Sequence, residues 1–341
     1  MNRMRIVRSV AVVAVAALIS LALTSPASAG RGDGSGGSTG DGSVGATAQI
    51  NVTGDVKGGG GTVQASAPAI CWWEPIELST DGAAALATMF AFFGLPFDAA
   101  AIAEIVEDEE SGVELEWYGR KVREGATDAQ IEAAGCNDFS GPYQGLFIGS
   151  IIRPFEPGNP PEPLPDPEEM ADVAFESIDL AGPELSWNPK VNALGGGTLV
   201  NLPTWFWVTN PGPAVGGGDG ERSVTATAAA GGSSVSVTVT ARADRLQIAS
   251  PGGAVTCSTA QAQTAYARGV SESSACTLPF TRSSGGYDAG FPVRATVAWT
   301  ASWTGTGPGV PAGTQQLEGI VMSSTTNVPV REAQATVTDV G

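Results

Sequence analysis

"SVTATAAAGGSSVSVTVTARADRLQI", residues 223–248, alternates Val and Ala with Ser, Thr and Arg on either side of a Gly-Gly pair. That is the period of a strand whose side chains point to opposite faces in turn, and Val and Thr suit a pleated surface. Further short runs of the same kind follow at "AVTC" (254–257), "FPVRATVAWTASW" (291–303) and "EAQATVTDV" (332–340), separated by Gly, Pro or Ser. This spacing predicts an antiparallel β-sandwich over residues 185–341.

Upstream the character is different. Residues 63–152 read as a small α+β domain. A helix is expected over "AAALATMFAFF" with Asp81 as cap, and a second over "FDAAAIAEIVEDEE" with Ile102, Ile105 and Val106 on one face. Strands are expected at 113–118 and 143–152, and a short capped helix at "TDAQIEAAG". "RPFEPGNPPEPLPDP", 153–167, reads as a proline-rich connector, so 153–184 is taken as linker plus one helix. That helix carries Pro167 and acids in its first turn and a Met170, Val173, Ala174, Ile178 stripe. Residues 30–62, rich in Gly, Ser and Asp, read as a flexible, disordered arm with a short strand around Gln49 to Val52. The expected fold class is mainly β, with a small α+β N-terminal part.

Residues 1–29 place Arg3, Arg5 and Arg8 before an apolar run that ends in Ala27-Ser28-Ala29, the pattern of a secretory signal peptide cleaved after Ala29. The run is shorter than the roughly 20 residues a membrane span takes, so no transmembrane anchor is expected after cleavage. The chain has 17 basic and 35 acidic residues; losing three arginines leaves 14 − 35 = −21. That balance excludes nucleic acid as a partner, since phosphate contacts need clustered cations. In an exported chain, Cys71, Cys136, Cys257 and Cys276 imply two disulfides with three pairings open; proximity and grouping favour Cys71 with Cys136 and Cys257 with Cys276.

The second half resembles a family of exported, uncharacterised actinobacterial proteins with a PKD-like (immunoglobulin-like) β-sandwich. The resemblance rests on "GGGTLVNLPTWFWV", the 223–248 run, "GGAVTC" with Cys257, Cys276 before "TLPF", and "GFPVRATVAWTASWTG"; "CWWEP" at 71–75 is similar to an upstream marker of the same proteins. It implies fold and export, not activity. Relatives often carry an acidic turn before the first of these cysteines, where this chain has "QIASPGG" (247–253), and a histidine motif after the second, which this chain lacks.

Trp205 and Trp207 share one strand face, and Trp299 and Trp303 another; they either fill the space between two sheets, the reading adopted, or form a sugar-stacking surface. With no histidine, no Ser-His-Asp triad and no His-containing zinc site can be built, and the cysteine spacing is not that of a metal ligand set. Only a carboxylate pair among Glu74, Asp108, Glu109, Glu110, Glu114 and Glu116 could support hydrolysis. "GGGDGE" (216–221) is a weak calcium motif, and Arg31-Gly32-Asp33 and the sequon Asn51-Val52-Thr53 are matches expected by chance. No catalytic residue, metal or cofactor is therefore assigned. The expectation is a secreted, non-enzymatic scaffold of the cell envelope or surface whose partner is an envelope protein or a glycan. A carbohydrate-binding module and an acid-pair glycosidase are the alternatives.

Overall fold

The computed structural model describes residues 36–38, 44–76, 87–88, 91–92, 99–134, 136, 152–230 and 233–333. The N-terminal elements are β1 (Gly36–Ser38), β2 (Val44–Gly54), β3 (Gly61–Pro68), β4 (Cys71–Pro75), α1 (Ala99–Glu110), β5 (Glu116–Val122), α2 (Asp128–Ala133) and β6 (Ile152–Phe155). The middle of the chain contributes α3 (Pro167–Ser177), β7 (Leu185–Asn188), β8 (Thr198–Leu199), β9 (Pro203–Val208) and α4 (Pro211–Val215). Then come β10 (Glu221–Ala230), β11 (Ser233–Ser250), β12 (Gly253–Ser258), α5 (Thr259–Gln263), β13 (Cys276–Pro279), β14 (Phe291–Thr306), β15 (Gln315–Val328) and β16 (Val330–Arg331).

The alternation at 223–248 becomes β10 and β11, an antiparallel pair in register from Glu221 opposite Arg242 to Ala230 opposite Ser233. They sit in the middle of a large antiparallel sheet ordered β3, β2, β10, β11, β14, β15, with β12 beside the second half of β11. Val224, Ala226, Val235, Val237 and Val239 are buried on its inner face, while the Ser and Thr between them face outward. The sheet curls where two bulges meet. Both the pairing of β14 with β11 and its pairing with β15 slip by one residue at Trp299, and an extra residue in a ladder bends its strand and raises the local twist. Gly319 lies in the second bulge; a Cβ there would come within 2.5 Å of the Trp299 carbonyl, so the bulge accepts only glycine.

A second layer covers the inner face. It consists of α3, α4 and a three-stranded sheet ordered β7, β9, β13. Met170, Ala171 and Ala174 of α3 and Ile178 just after it are fully enclosed against the large sheet, and Phe206, Leu278 and Phe280 extend the same core. Burying each such aliphatic or aromatic side chain contributes about 1.5–3 kcal/mol. The short parallel pair of β8 and β16 closes one end. A third sheet is ordered β4, β5, β6, and the Arg123–Asp166 ion pair ties the end of β5 to the start of α3. Trp73 and Tyr118 both meet the ring of Phe155 edge-on, at 5.2 and 5.6 Å.

The mainly β class and both disulfides are as expected: Cys71 joins Cys136 and Cys257 joins Cys276, with Cα atoms 6.0 and 5.5 Å apart. The segmentation is different. Residues 44–62, expected in a flexible arm, are mostly strand: β2 pairs with β10 and β3 pairs with β2, and Ile50 and Val52 are wholly buried in the common core. The cause is tertiary. The free edge of β10 supplies backbone partners that a Gly- and Thr-rich segment cannot find alone, and Gly54 fits against Ser223 where a Cβ would lie 2.5 Å from its carbonyl.

Position 153, expected as the start of a linker, falls inside a strand. Residues 152–155 are β6, paired with β5, and α3 is a core helix instead of part of a linker. Its end falls at Ser177, because Ile178 turns to extended backbone and enters the core. α1 and α2 lie where helices were expected, the latter capped by a Thr127–Gln130 box. The strand expected at 113–118 begins instead at Glu116. The strand expected at 143–152 lies outside the described residues except for Ile152, as does most of the first helix and the signal segment.

Candidate functional site

Alternation along β9 sends Phe206 one way and Trp205 and Trp207 the other. Register decides which way is inward. Cys276 of β13 stands directly opposite Phe206, and paired residues share a face. Cys276 must reach Cys257, which is buried beside Leu246 in the large sheet. Phe206 is therefore drawn into the core, fully buried, and the two indoles are turned to the outer face of the small sheet. This corrects the expectation that Trp205 and Trp207 fill the space between sheets.

Trp205 is nonetheless only 5 % exposed, because the loop closed by the Cys257–Cys276 disulfide lies over it. Its Nε1–H donates to the Thr264 carbonyl across 2.7 Å, and Tyr266 meets its ring edge-on at 5.4 Å. Trp207 is half-buried. Trp299 and Trp303 face the core from β14, 1 % and 3 % exposed. The four indoles named as a candidate binding surface thus sit on two separate layers, three of them enclosed, and they form no common platform.

Trp303 does line one wall of a 430 Å³ cleft between the end of β14 and the α2 and α3 N-termini, together with Ile70, Gln130, Asp166, Glu168 and Gln316. Its most buried acid is already committed. Asp166 Oδ1 accepts the Glu168 N–H at 3.0 Å, capping α3, and Oδ2 pairs with Arg123 Nη2 at 2.7 Å. Arg123 also reaches Glu169 at 3.3 Å. Glu168 alone lacks the second carboxylate that acid-pair hydrolysis needs.

The other acids considered for that chemistry are dispersed. Glu74 accepts from Trp72 Nε1 at 2.8 Å and faces Lys121 at 3.8 Å; Glu116 accepts from the Tyr118 hydroxyl at 2.5 Å. That bond and burial push the Tyr118 phenol above its ordinary value, burial being the larger cause. Asp108, Glu109 and Glu110 end α1, and Glu114 is exposed in the following loop. In the acidic glycine turn, Asp219 accepts from the Glu221 amide, and Glu221 pairs with Arg242. Among the described residues no group of three or more His, Cys, Asp or Glu side chains is arranged to hold a metal ion.

Among the described residues, one organised surface was not singled out from the sequence: the outer face of the large sheet. Register aligns Thr62, Thr53, Thr225, Thr238 and Thr304 in one row across β3, β2, β10, β11 and β14. A neighbouring row runs Gln64, Asn51, Thr227, Ser236, Thr306, and on the other side Ser223, Thr240, Ser302 and Gln316 are aligned. The Thr225 and Thr238 hydroxyls are 3.0 Å apart, and Thr53 Oγ1 donates to the Thr225 carbonyl at 3.3 Å.

Charge is scarce here. The acids on these strands' outward positions and bulges are Glu221, Asp244 and Glu318, balanced by Arg242, Arg245 and Arg294. The face is neutral on a chain of net charge −18. The signal was present in the outward half of each alternating run, but only the pairing of five strands turns scattered threonines into rows.

Compared with protein-family models, with curated proteins and with solved structures, the chain matches none.

Proposed function

We propose that the chain is an exported, non-enzymatic structural protein of the cell envelope or surface, and that it makes its contacts through the outer face of the large sheet. The observation that carries this reading is the neutral, hydroxyl-lined face itself, left open by the second layer and by the third sheet. Export is supported by the pattern of residues 1–29 and by two disulfides, which persist in oxidising compartments. Among the described residues no helix is long and apolar enough to cross a membrane. The PKD-like reading of residues 185–341 is retained in an extended form, with β2 and β3 as added strands of the same sheet.

A sugar-stacking module built on the tryptophan pairs is not favoured, since Trp205, Trp299 and Trp303 are enclosed. The test is expression in an exporting bacterial host, followed by fractionation and cross-linking on intact cells. A mature N-terminus at Gly30 and capture in the envelope fraction are expected. Full retention in the cytoplasm, or release into the medium with nothing cross-linked, would overturn the proposal.

A further inference from the structure

We propose that the outer face of the large sheet takes a neutral polysaccharide chain, laid across the strands along the threonine row. This rests on the envelope reading above and names the partner of the same face.

Neighbouring strands lie about 4.8 Å apart, so the row offers one hydroxyl and one methyl group per strand at that repeat. The interval is close to the length of one sugar ring in a polymer, so successive residues can meet successive threonines. The Thr225–Thr238 pair spends one O–H on itself and keeps the other, with spare lone pairs, for a ligand. Thr53 and Thr304 flank it as exposed residues; the Thr53 O–H goes to the Thr225 carbonyl, which leaves its lone pairs to accept, and Thr62 lies one strand further out. Both bulges of β14's ladders lie at Trp299, away from the row, which therefore runs unbroken over five strands. Adjacent strands are rotated by roughly 20–25°, so the row is a gentle screw. A flexible chain can follow a screw; a flat crystal face cannot.

Other partner classes fit poorly. Interface cores between proteins are enriched in aromatic residues, Met and Arg and depleted in Ser and Ala, whereas these rows hold Thr, Ser, Asn and Gln with no aromatic ring. A membrane needs an apolar patch or clustered cations, and this face has Val321 as its one large apolar residue that is strongly exposed. Nucleic acid needs cations in excess, and here they equal the anions. A neutral polyhydroxylated chain matches donors and acceptors without meeting a charge. Each hydroxyl contact only replaces one to water, so binding comes from their number along the polymer.

The experiment uses the mature chain with both disulfides in native affinity electrophoresis, through gels containing hydroxyethylcellulose, xylan, mannan or dextran, and through polygalacturonate as the acidic counterpart. Retardation by at least one neutral polymer and none by polygalacturonate is expected. The Thr225→Val/Thr238→Val/Thr304→Val variant, which keeps strand-forming residues, should bind about tenfold more weakly, and the corresponding Ser variant should stay within about threefold of the parent. Trp207→Ala should leave retardation unchanged. No retardation by any neutral polymer, undiminished retardation of the Val variant, or loss in Trp207→Ala instead would each overturn the inference. If polysaccharide binding fails while cross-linking on cells still captures the protein, the partner named here is wrong and the envelope reading stands. Polymer binding by a protein found only in the medium would instead overturn the envelope reading and leave the partner in place.

Discussion

The indole Nε1–H of Trp205 donates to the Thr264 carbonyl across 2.7 Å, which fastens the disulfide-closed loop over the outer face of the small sheet. A ring placed on the outside of a layer is made internal by a loop, and the loop is held by a covalent bond between Cys257 and Cys276.

Opening that loop should therefore expose Trp205. Replacing Cys257 and Cys276 by Ala releases a constraint spanning 19 residues, which costs about 3 kcal/mol in the chain-entropy model. The expected result, by urea unfolding and tryptophan emission, is a lower midpoint with a red shift of the native spectrum. Trp205→Phe keeps an aromatic ring but loses the hydrogen bond and part of the buried volume, and should cost about 1–3 kcal/mol.

Asp166 should prove a junction residue. One oxygen caps α3, the other holds Arg123 at the end of β5, and its own amide donates to Pro68 at the end of β3. Asp166→Ala should cost about 2–3 kcal/mol and Asp166→Asn, which keeps the cap, about 1 kcal/mol. Arg123→Ala combined with Asp166→Ala should cost less than the sum of the single changes, which equilibrium unfolding of the four proteins measures.

Tyr118 is a second such point, since its hydroxyl donates to Glu116 and accepts the Gly158 amide at 2.8 Å. Tyr118→Phe should cost about 1–2 kcal/mol by leaving that amide without its acceptor. Amide exchange at Gly158 should rise in the variant.

Asp172 contributes a pH-dependent increment to stability. Burial, then the neighbouring Glu176 and Asp166, raise its carboxyl above the ordinary 3.8. A carboxyl whose folded value is raised favours the folded state in its neutral form, so its ionisation removes stability as pH rises from 3.8 through the folded value. Asp172→Asn should stabilise the protein at pH 7 by about 0.5 kcal/mol or less, because the residue is exposed overall, its carboxyl is only partly desolvated, and solvent screens the like charge one helical turn away. The gain should vanish in thermal melts taken below pH 3.8.

How much was legible in the sequence depended on where the information lay. The pairing of Cys257 with Cys276, the β10–β11 alternation and the start of α3 at Pro167 are local, and composition and period carry them; the Asp166 cap is seen only in the structure. The extent of β2 is only partly local: the alternation of Ala48, Ile50 and Val52 in "ATAQINVTG" marks a short strand, but it becomes an eleven-residue one because β10 and β3 offer it edges. Trp205, Phe206 and Trp207 show the same limit. Alternation states that Phe206 opposes its neighbours, but only the register with Cys276 says which side is the core. The threonine rows need five strands in register, so no single run of sequence displays them.

Oxidative footprinting of the tryptophans tests the central claim most directly, namely that Trp205, Trp299 and Trp303 are interior and the open face of the large sheet is made of hydroxyls. In the native, disulfide-intact protein, Trp205, Trp299 and Trp303 should resist modification while Trp207 reacts, and all should react once the protein is reduced and unfolded. Modification of Trp299 and Trp303 in the folded protein at the rate of Trp207 would contradict the account.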